Sequence, residues 1–399
     1  MTITEAPQIE LMAGTFYTGD PYRAFAWMRQ NAPAYWDEAG QVWGITRYAD
    51  VRAIGQDPQT FSSAQGSRPN TPLPYMIDID GPEHRRRRRL VSAGFTPDAV
   101  RQRQPRVRQV CDEIIDAVCE KGSCDLVADI AAPLPLIMIA DMLGFPSDDW
   151  SRLLEWSDTM LMSQGAADDD AFIRAASAFG EWDVYVRDQI DRRRADGTTD
   201  DLLGTLVHGE IEGDRIDDST LVYEALLLLI GGDETSRHVI SGGMEALLHH
   251  PDQLAALKAD RDLLPATVEE MLRWVTPIKN MNRNATQDVE LHGKTIKAGQ
   301  NVLLLYPSAN RDETMFTDPE TFDIRRQPND HVAFGFGAHL CLGHRLARAE
   351  IAGMVDRLID RFDDLAIATD DPPDLRISNF IVGHESLPVK YSPTGRVAG

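Results

Sequence analysis

The sequence predicts a mainly α-helical protein with small β-sheets, folded as one domain over residues 1–399. Three observations predict it. Apolar residues recur at i, i+3 and i+4 from about residue 96 to 275, as in VCDEIIDAVCEKG and PDQLAALKAD. Strand signals are short and sit toward both ends of the chain. No repeat, low-complexity tract or Gly/Ser linker divides the sequence, so helices and strands interleave in a single unit.

Taken in order, the N-terminal portion to about residue 70 reads as β-rich, with QVWGITRY (41–48) alternating after the turn at Glu38-Ala39-Gly40. The α-rich remainder contains one unusually long helix. Asp217 and Asp218 are its acidic N-cap candidates and Pro251 closes it. At 1.5 Å per residue it is about 50 Å long, enough to cross the protein. Its middle, LLLLIGGDETSRHVISGG (226–243), is apolar except at Gly231, Gly232, Asp233, Glu234 and Thr235. Two glycines cost a helix interior roughly 1 kcal/mol each relative to alanine. VELHGKTIKAGQNVLLLY (289–306) follows as a hairpin around His292-Gly293, and LAIAT and LPVKYSP read as late strands.

Composition removes several function classes. With 63 acidic and 40 basic residues the net charge is −23, which opposes general binding to nucleic acid or anionic membrane. The N-terminus, MTITEAPQIELMAG, has neither a cationic n-region nor an apolar h-region. The longest apolar runs, such as LPLIMIA (134–140), fall far short of a bilayer span of ~20 residues. A cytoplasmic location without a membrane span is the expectation. Cys111, Cys119 and Cys124 show no zinc spacing and read as small, partly buried thiols.

Cys341 differs. It lies in Phe334-Gly335-Phe336-Gly337-Ala338-His339-Leu340-Cys341-Leu342-Gly343, before the helical HRLARAEIAGMVDRLIDRF. The glycines permit a tight turn of positive φ and close approach of the backbone to a flat group. A thiol just before a helix N-terminus meets free amides and a dipole that favour thiolate. A soft thiolate suits iron, and a single Cys suits the axial position of haem. Six fixed residues, F-G-x-G-x-H-x-C-x-G, arise by chance at this length about once in a million.

The loop resembles the haem-binding signature of the cytochrome P450 family. The resemblance implies a triangular prism around haem b, with Cys341 as axial ligand of the iron and Phe334, Gly335, His339 and Gly343 cradling the macrocycle. It further implies propionate partners at His84 and Arg88, one helical turn apart in PEHRRRRRL, at Arg283 in MNRNAT and at His339. Converging Arg and His donors fit two carboxylates. Glu270 and Arg273 match the family's E-x-x-R ion pair, completed by Arg326 from FDIRRQP, with Arg325 as the alternative.

Gly231-Gly232-Asp233-Glu234-Thr235 matches the family's (A/G)-G-x-(D/E)-T segment over the oxygen-binding face of haem. The Thr235 hydroxyl can bond the i−4 carbonyl of Gly231 and open that turn. Gly231 leaves room for dioxygen and substrate. Thr235 and Glu234 are the expected catalytic pair: Thr235 holds dioxygen or a water, and Glu234 feeds protons from solvent. Asp233 is expected to be structural.

The implied reaction is monooxygenation, with electrons from separate partners because no flavin or nicotinamide fingerprint occurs in the chain. Nine arginines between positions 84 and 108 stand against Asp98 alone. The expected dock for an acidic iron–sulfur ferredoxin, fed by a ferredoxin reductase, is Arg85, Arg86, Arg87 and Arg89 with Arg345 and Arg348. Matching family positions give the substrate contacts: Leu73, Met76 and Ile77 before His84; Leu227 and Ile230 on the long helix; Val275, Thr276 and Ile278 after E-x-x-R; and Phe380, Ile381 and Val382 in a late turn. Nearly all are apolar, so the expected substrate is large and hydrophobic, without a charged anchor. The similarity runs over nearly the whole chain to the actinobacterial P450s that hydroxylate the terminal side-chain methyl (C26 or C27) of cholesterol and cholest-4-en-3-one. The alternatives are a P450 acting on another lipid or steroid, a peroxide-driven peroxygenase, or a haem sensor or carrier.

Overall fold

The computed structural model describes residues 7–161, 169–211 and 213–397. Its largest sheet has five strands: β1 (Ala34–Asp37), β2 (Val42–Ile45), β3 (Phe61–Ser62), β4 (Met281–Ala285) and β5 (Asn301–Leu304), in the order β1-β2-β5-β4-β3. β5 lies parallel to β2 and antiparallel to β4. The expectation of a β-rich N-terminal portion needs correction. Helices Pro21–Asn31 and Tyr48–Gln56 occupy much of it, and the sheet is completed by strands more than two hundred residues downstream. Short strands cannot bury a face alone, so they recruit distant partners.

The hairpin around His292-Gly293 forms as expected, Leu291 pairing with Lys294 across two residues of positive φ, 50° and 73°. That is the two-residue turn whose twist suits an antiparallel pair. The late strands also form: Ala366–Ile367 and Ser123–Asp125 flank Pro388–Lys390.

Eight helices position the site: α1 (Gly81–Ser92), α2 (Pro97–Asp116), α3 (Pro133–Leu143), α4 (Trp150–Leu161), α5 (Asp169–Asp196), α6 (Asp218–His249), α7 (Leu264–Val275) and α8 (His344–Arg361). α6 is the long helix. Asp217 caps it by accepting from the Thr220 amide, and Pro251 begins the next helix after His250. It packs against α3, α7 and α8 and is buried on most of its circumference. One apolar cluster joins α6 to α2, α7 and α8; a second joins it to α3, α4 and α5.

Two of its glycines answer to packing. A Cβ on Gly232 would lie 2.8 Å from Ile139 of α3, and one on Gly243 would lie 2.6 Å from Met271 of α7. Among the described residues, one stretch, Leu126–Leu143, has the length and hydropathy of a membrane span, but it is 78% buried and is a core segment ending in α3.

Candidate active site

The Cys341 loop is fixed by its own backbone. Gly335 and Gly337 take φ of 68° and 75°, and the Cys341 amide donates to the Phe334 carbonyl at 2.9 Å. Gly337 admits no side chain, since a Cβ there would stand 2.0 Å from the Gly55 carbonyl oxygen. The loop delivers Cys341 three residues before α8, with the Gly343 and His344 amides directed at its sulfur. Burial pushes the free thiol above its ordinary value, opposed by those amides and by Arg88 and Arg348. A metal ion reverses that balance, because a coordinating thiol is deprotonated outright. Phe334 is gripped by Arg348, 4.6 Å above its ring, and Phe336 by Arg52 at 4.3 Å.

Beside the thiol, the structure gathers the four expected propionate partners. The His84 and His339 rings stack at 4.2 Å, and Arg88 donates to the Leu340 carbonyl. Arg283 is buried and close enough to His339 to depress its protonation. Burial, His339 and Arg88 push His84 down to about 4. Asp80 lies 3.3 Å from His339 Nε2 and is tied to Ser62 and Ser63, and Asp78 lies near Arg283. Two guanidiniums with two imidazole donors fit the two propionates of haem. Asp80 was missed in the sequence because nothing local marks it as a partner of the Cys loop.

In the middle of the largely buried α6, Leu227, Ile230 and Thr235 are part-exposed and Gly231 is exposed, a stripe at i, i+3, i+8 and i+4; Tyr223 and Gly232 are part-exposed as well. No atom lies within 4 Å of where a Gly231 Cβ would stand, and Leu340 of the Cys loop is 37% exposed. The donor set fits haem, and Gly231 leaves open space on α6: Cys341 would ligate the iron, and His84, Arg88, Arg283 and His339 would hold the propionates.

The polar middle of α6 differs from expectation in two ways. The helix is unbroken through residues 231–235, although the Thr235 hydroxyl does donate to the Gly231 carbonyl at 3.3 Å. Glu234 does not face solvent. It is fully buried, accepting from Arg237 at 2.6 Å and Arg376 at 2.8 Å, with His238 Nε2 at 3.4 Å. Against the cost of burial, the two arginines hold its carboxyl far below the carboxylate range. Asp233 is also buried, but both its oxygens lack hydrogen-bond partners, and burial with the Glu234 charge pushes it well up. Arg237 and Arg376 were both missed in the sequence: the i+3 spacing to Glu234 could have found Arg237, and nothing local marks Arg376.

The expected substrate contacts divide. Ile278 and Ile381 face each other across a bridge flanked by Lys279-to-Phe380 and Val382-to-Pro277 backbone bonds. Alternation along that segment puts Phe380 and Val382 on the other face. Phe380 stacks on buried Arg68 at 4.5 Å. Leu73 and Ile77 are half-buried beside Met76, which packs with Leu226 and Leu229 of α6. Three expectations require correction. Val382 packs with Leu11, Phe25 and Leu305, and Val275 shares with it a separate cleft of about 180 Å³ that includes none of the α6 stripe. Thr276 ends α7 at φ 40°, its hydroxyl spent on the Arg273 carbonyl and on Asn310, so it is a helix stop.

The Glu270 site resolves the choice between Arg325 and Arg326. Glu270 binds Arg273 at 2.7 and 2.8 Å and Arg326 Nε at 3.2 and 3.3 Å, while Arg325 is exposed. On the basic face, Arg85, Arg89 and Arg345 are exposed and Arg86 is half-buried. Arg87 turns inward to the buried Glu224 of α6, at 3.3 Å, and to the Pro74 carbonyl. Arg348 is held by Glu269 through two nitrogens. Arg87 is thereby mostly buried, whereas Arg348 keeps 34% of its side chain exposed beside Glu269.

The family model described as Cytochrome P450 matches residues 184–392. A steroid C26-monooxygenase of Mycolicibacterium smegmatis is 47% identical over 394 residues, covering 98% of each chain. A steroid C26-monooxygenase of Mycobacterium tuberculosis is 47% identical over 98% of this chain and 99% of its own. A methyl-branched lipid omega-hydroxylase of Mycobacterium bovis is 37% identical over 92% of this chain and 90% of its own. Among solved structures, a Bacillus megaterium cytochrome P450 in complex with testosterone superposes with a TM-score of 0.86 at 33% identity, over 93% of this chain and 98% of that one.

Proposed function

The chain belongs to the cytochrome P450 family and is a haem-thiolate monooxygenase, and from that premise we propose that it hydroxylates the terminal side-chain methyl of a steroid such as cholesterol or cholest-4-en-3-one. The observation that carries the reading is 47% identity, across 98% of both chains, to a protein named for that reaction. The apolar stripe of Leu227, Ile230 and Gly231 supports a large hydrophobic substrate lying along α6.

Haem b, when bound, supplies dioxygen activation, with the Cys341 thiolate donating electron density. The chain does the rest. Arg88, Arg283, His84 and His339 anchor the propionates and so fix the macrocycle against the Cys loop. Thr235, whose hydroxyl stands on the cavity face, holds a proton or a water at its Oγ1 for the oxygen site. Leu227, Ile230 and Ile278 exclude water from the alkyl chain of the substrate. A terminal methyl has stronger C–H bonds than its neighbours, so selectivity has to come from such walls admitting the chain tip first.

Electrons come from a redox partner. A ferredoxin docks at exposed Arg85, Arg89 and Arg345 on the basic face, in a cytoplasmic, reducing setting that suits four free cysteines.

The test is a titration of the purified holoenzyme with cholest-4-en-3-one, cholesterol and a methyl-branched fatty acid, followed in the Soret region and by mass spectrometry of products. A low- to high-spin shift with the sterols and a terminal alcohol as product are expected. A shift confined to the branched lipid would overturn the steroid reading in favour of lipid ω-hydroxylation.

A further inference from the structure

A buried ion network joins three parts of the chain around Glu234. On α6 itself are Glu234, Arg237, His238 and Asp233; on α4 is Asp158; on the segment through residues 374–386 are Arg376 and Glu385. Arg376 is the hub. Its Nη1 donates to Glu234 at 2.8 Å, its Nη2 to Asp158 at 2.7 Å and its Nε to Glu385 at 2.5 Å. Arg237 repeats the pattern, donating to Glu234 at 2.6 Å and Asp158 at 2.9 Å. Glu234, Arg237 and Arg376 are all buried, and Asp158 and Glu385 stand at the solvent edge.

An ionised carboxylate in such a place costs several kcal/mol unless paired and hydrogen-bonded. One cation is not enough here, because Asp233, the preceding residue on the same turn of helix, is a second buried acid that makes no ion pair of its own and has only the Ser157 hydroxyl nearby. Two buried carboxyls side by side do not both ionise, and the one with more cations keeps the charge. Arg237, on α6 itself, is the first of those cations, and Arg376, from a strand region 142 residues away, adds the second and completes the hold on Glu234.

We propose that Arg376 is a positioning residue for the oxygen-activating turn: with Arg237 it holds the Glu234 carboxylate ionised and in one orientation beside Thr235, leaving the proton of the acid pair on Asp233. Glu234 then serves as an anion that receives protons and orients water, and Asp158 carries the same hold onto α4. The role rests on the monooxygenase reading for its purpose, though the charge state does not.

The experiment uses the haem-loaded enzyme and two readouts. Infrared difference spectra of wild type against Glu234→Gln and Asp233→Asn report which acid is protonated between pH 6 and 8. The expected result is a protonated carboxyl band that is lost in Asp233→Asn and weakens in Glu234→Gln, where the Glu234 charge no longer holds the proton on Asp233; a band that survives Asp233→Asn marks a protonated Glu234. A protonated Glu234 in the wild type would overturn the proposal, and this measurement needs no change at Arg376. In Arg376→Gln a Glu234 band is expected to appear, and the fraction of electrons ending in product to fall by about threefold to tenfold, more strongly at low pH. Arg376→Lys restores the ionised band. A coupling profile in Arg376→Gln that overlays the wild type at every pH, with the CO-bound thiolate spectrum intact, would also overturn it. Failure of the steroid titration alone leaves the infrared assignment standing, so the two readings fail separately.

Discussion

Glu350 offers the sharpest test of the packing between the helix over the cavity and the helix behind the thiol. It is a carboxyl of α8, buried, whose single protein hydrogen bond is to the Ser236 hydroxyl of α6 at 3.0 Å. Burial raises it from 4.5 to about 7, and its one partner lowers it less. In the unfolded chain it ionises near the ordinary glutamate value. Between those two values the folded state binds more protons, so stability falls as pH rises from about 4.5 to about 7 and stays down above that. At 1.36 kcal/mol per pH unit the full span is worth about 3 kcal/mol. Glu350→Gln keeps the shape and a group that bonds Ser236 but cannot ionise. The variant is therefore expected to match the wild type near pH 4.5 and to gain on it by about 3 kcal/mol by pH 7.5, roughly 4 °C in Tm for a chain of this size. Scanning calorimetry of the holoenzyme at half-unit pH steps measures the gap. Parallel curves for the two proteins would refute the assignment of a protonated, dry carboxyl at this contact.

Three further outcomes follow from the geometry. Arg326→Gln strips Glu270 of one buried cation and is expected to cost about 3–5 kcal/mol and to lower haem retention, whereas Arg325→Gln is neutral within about 0.5 kcal/mol by denaturant melting. Gly232→Ala drives a methyl to within 2.8 Å of Ile139 and is expected to lower stability by about 1–3 kcal/mol; Gly231→Ala meets nothing, gains in helix propensity, and registers as weaker binding of substrate in the spin-shift titration. Neutralising Arg85, Arg89 and Arg345 together is expected to slow ferredoxin-driven reduction and flatten its salt dependence, as stopped-flow CO trapping reports, and an unaltered salt slope would remove that face as the dock.

The parts of the site legible in the sequence are those where local geometry demands a residue type. Gly335 and Gly337 have positive φ, Gly337 has no room for a Cβ as well, and the spacing to Cys341 follows from one turn before a helix N-terminus. Glu270 and Arg273 share a helix face by spacing alone, but the third member was ambiguous between neighbours until the loop's path was known. Val275, Thr276 and Val382 were misplaced because segment matching assigns a whole stretch to the pocket: Val275 and Thr276 belong to the end of α7, and alternation beside the Ile278–Ile381 bridge sends Val382 to the opposite face. Arg87 misled because a run of arginines reads as surface, and only the packing of α1 on α6 shows one of them paired with a buried glutamate.

The five polar or small residues in the middle of α6 serve two different faces, which explains why the segment looked like misplaced polarity. At 100° per residue, Gly231 and Thr235 share the stripe of Leu227 and Ile230 and open onto the cavity. Asp233, Glu234 and Arg237 point away from that stripe, into charge supplied by α4 and by Arg376. Gly232 belongs to neither face and lets α3 close in. An unbroken helix can therefore present a hydroxyl to the oxygen site and, one residue earlier, a carboxylate whose charge is fixed from behind. Opening the turn is not required to bring the two together. What sets the proton inventory of the site is the set of partners around Glu234, so changes at Asp158, Arg237 or Arg376 should alter coupling without touching the cavity wall.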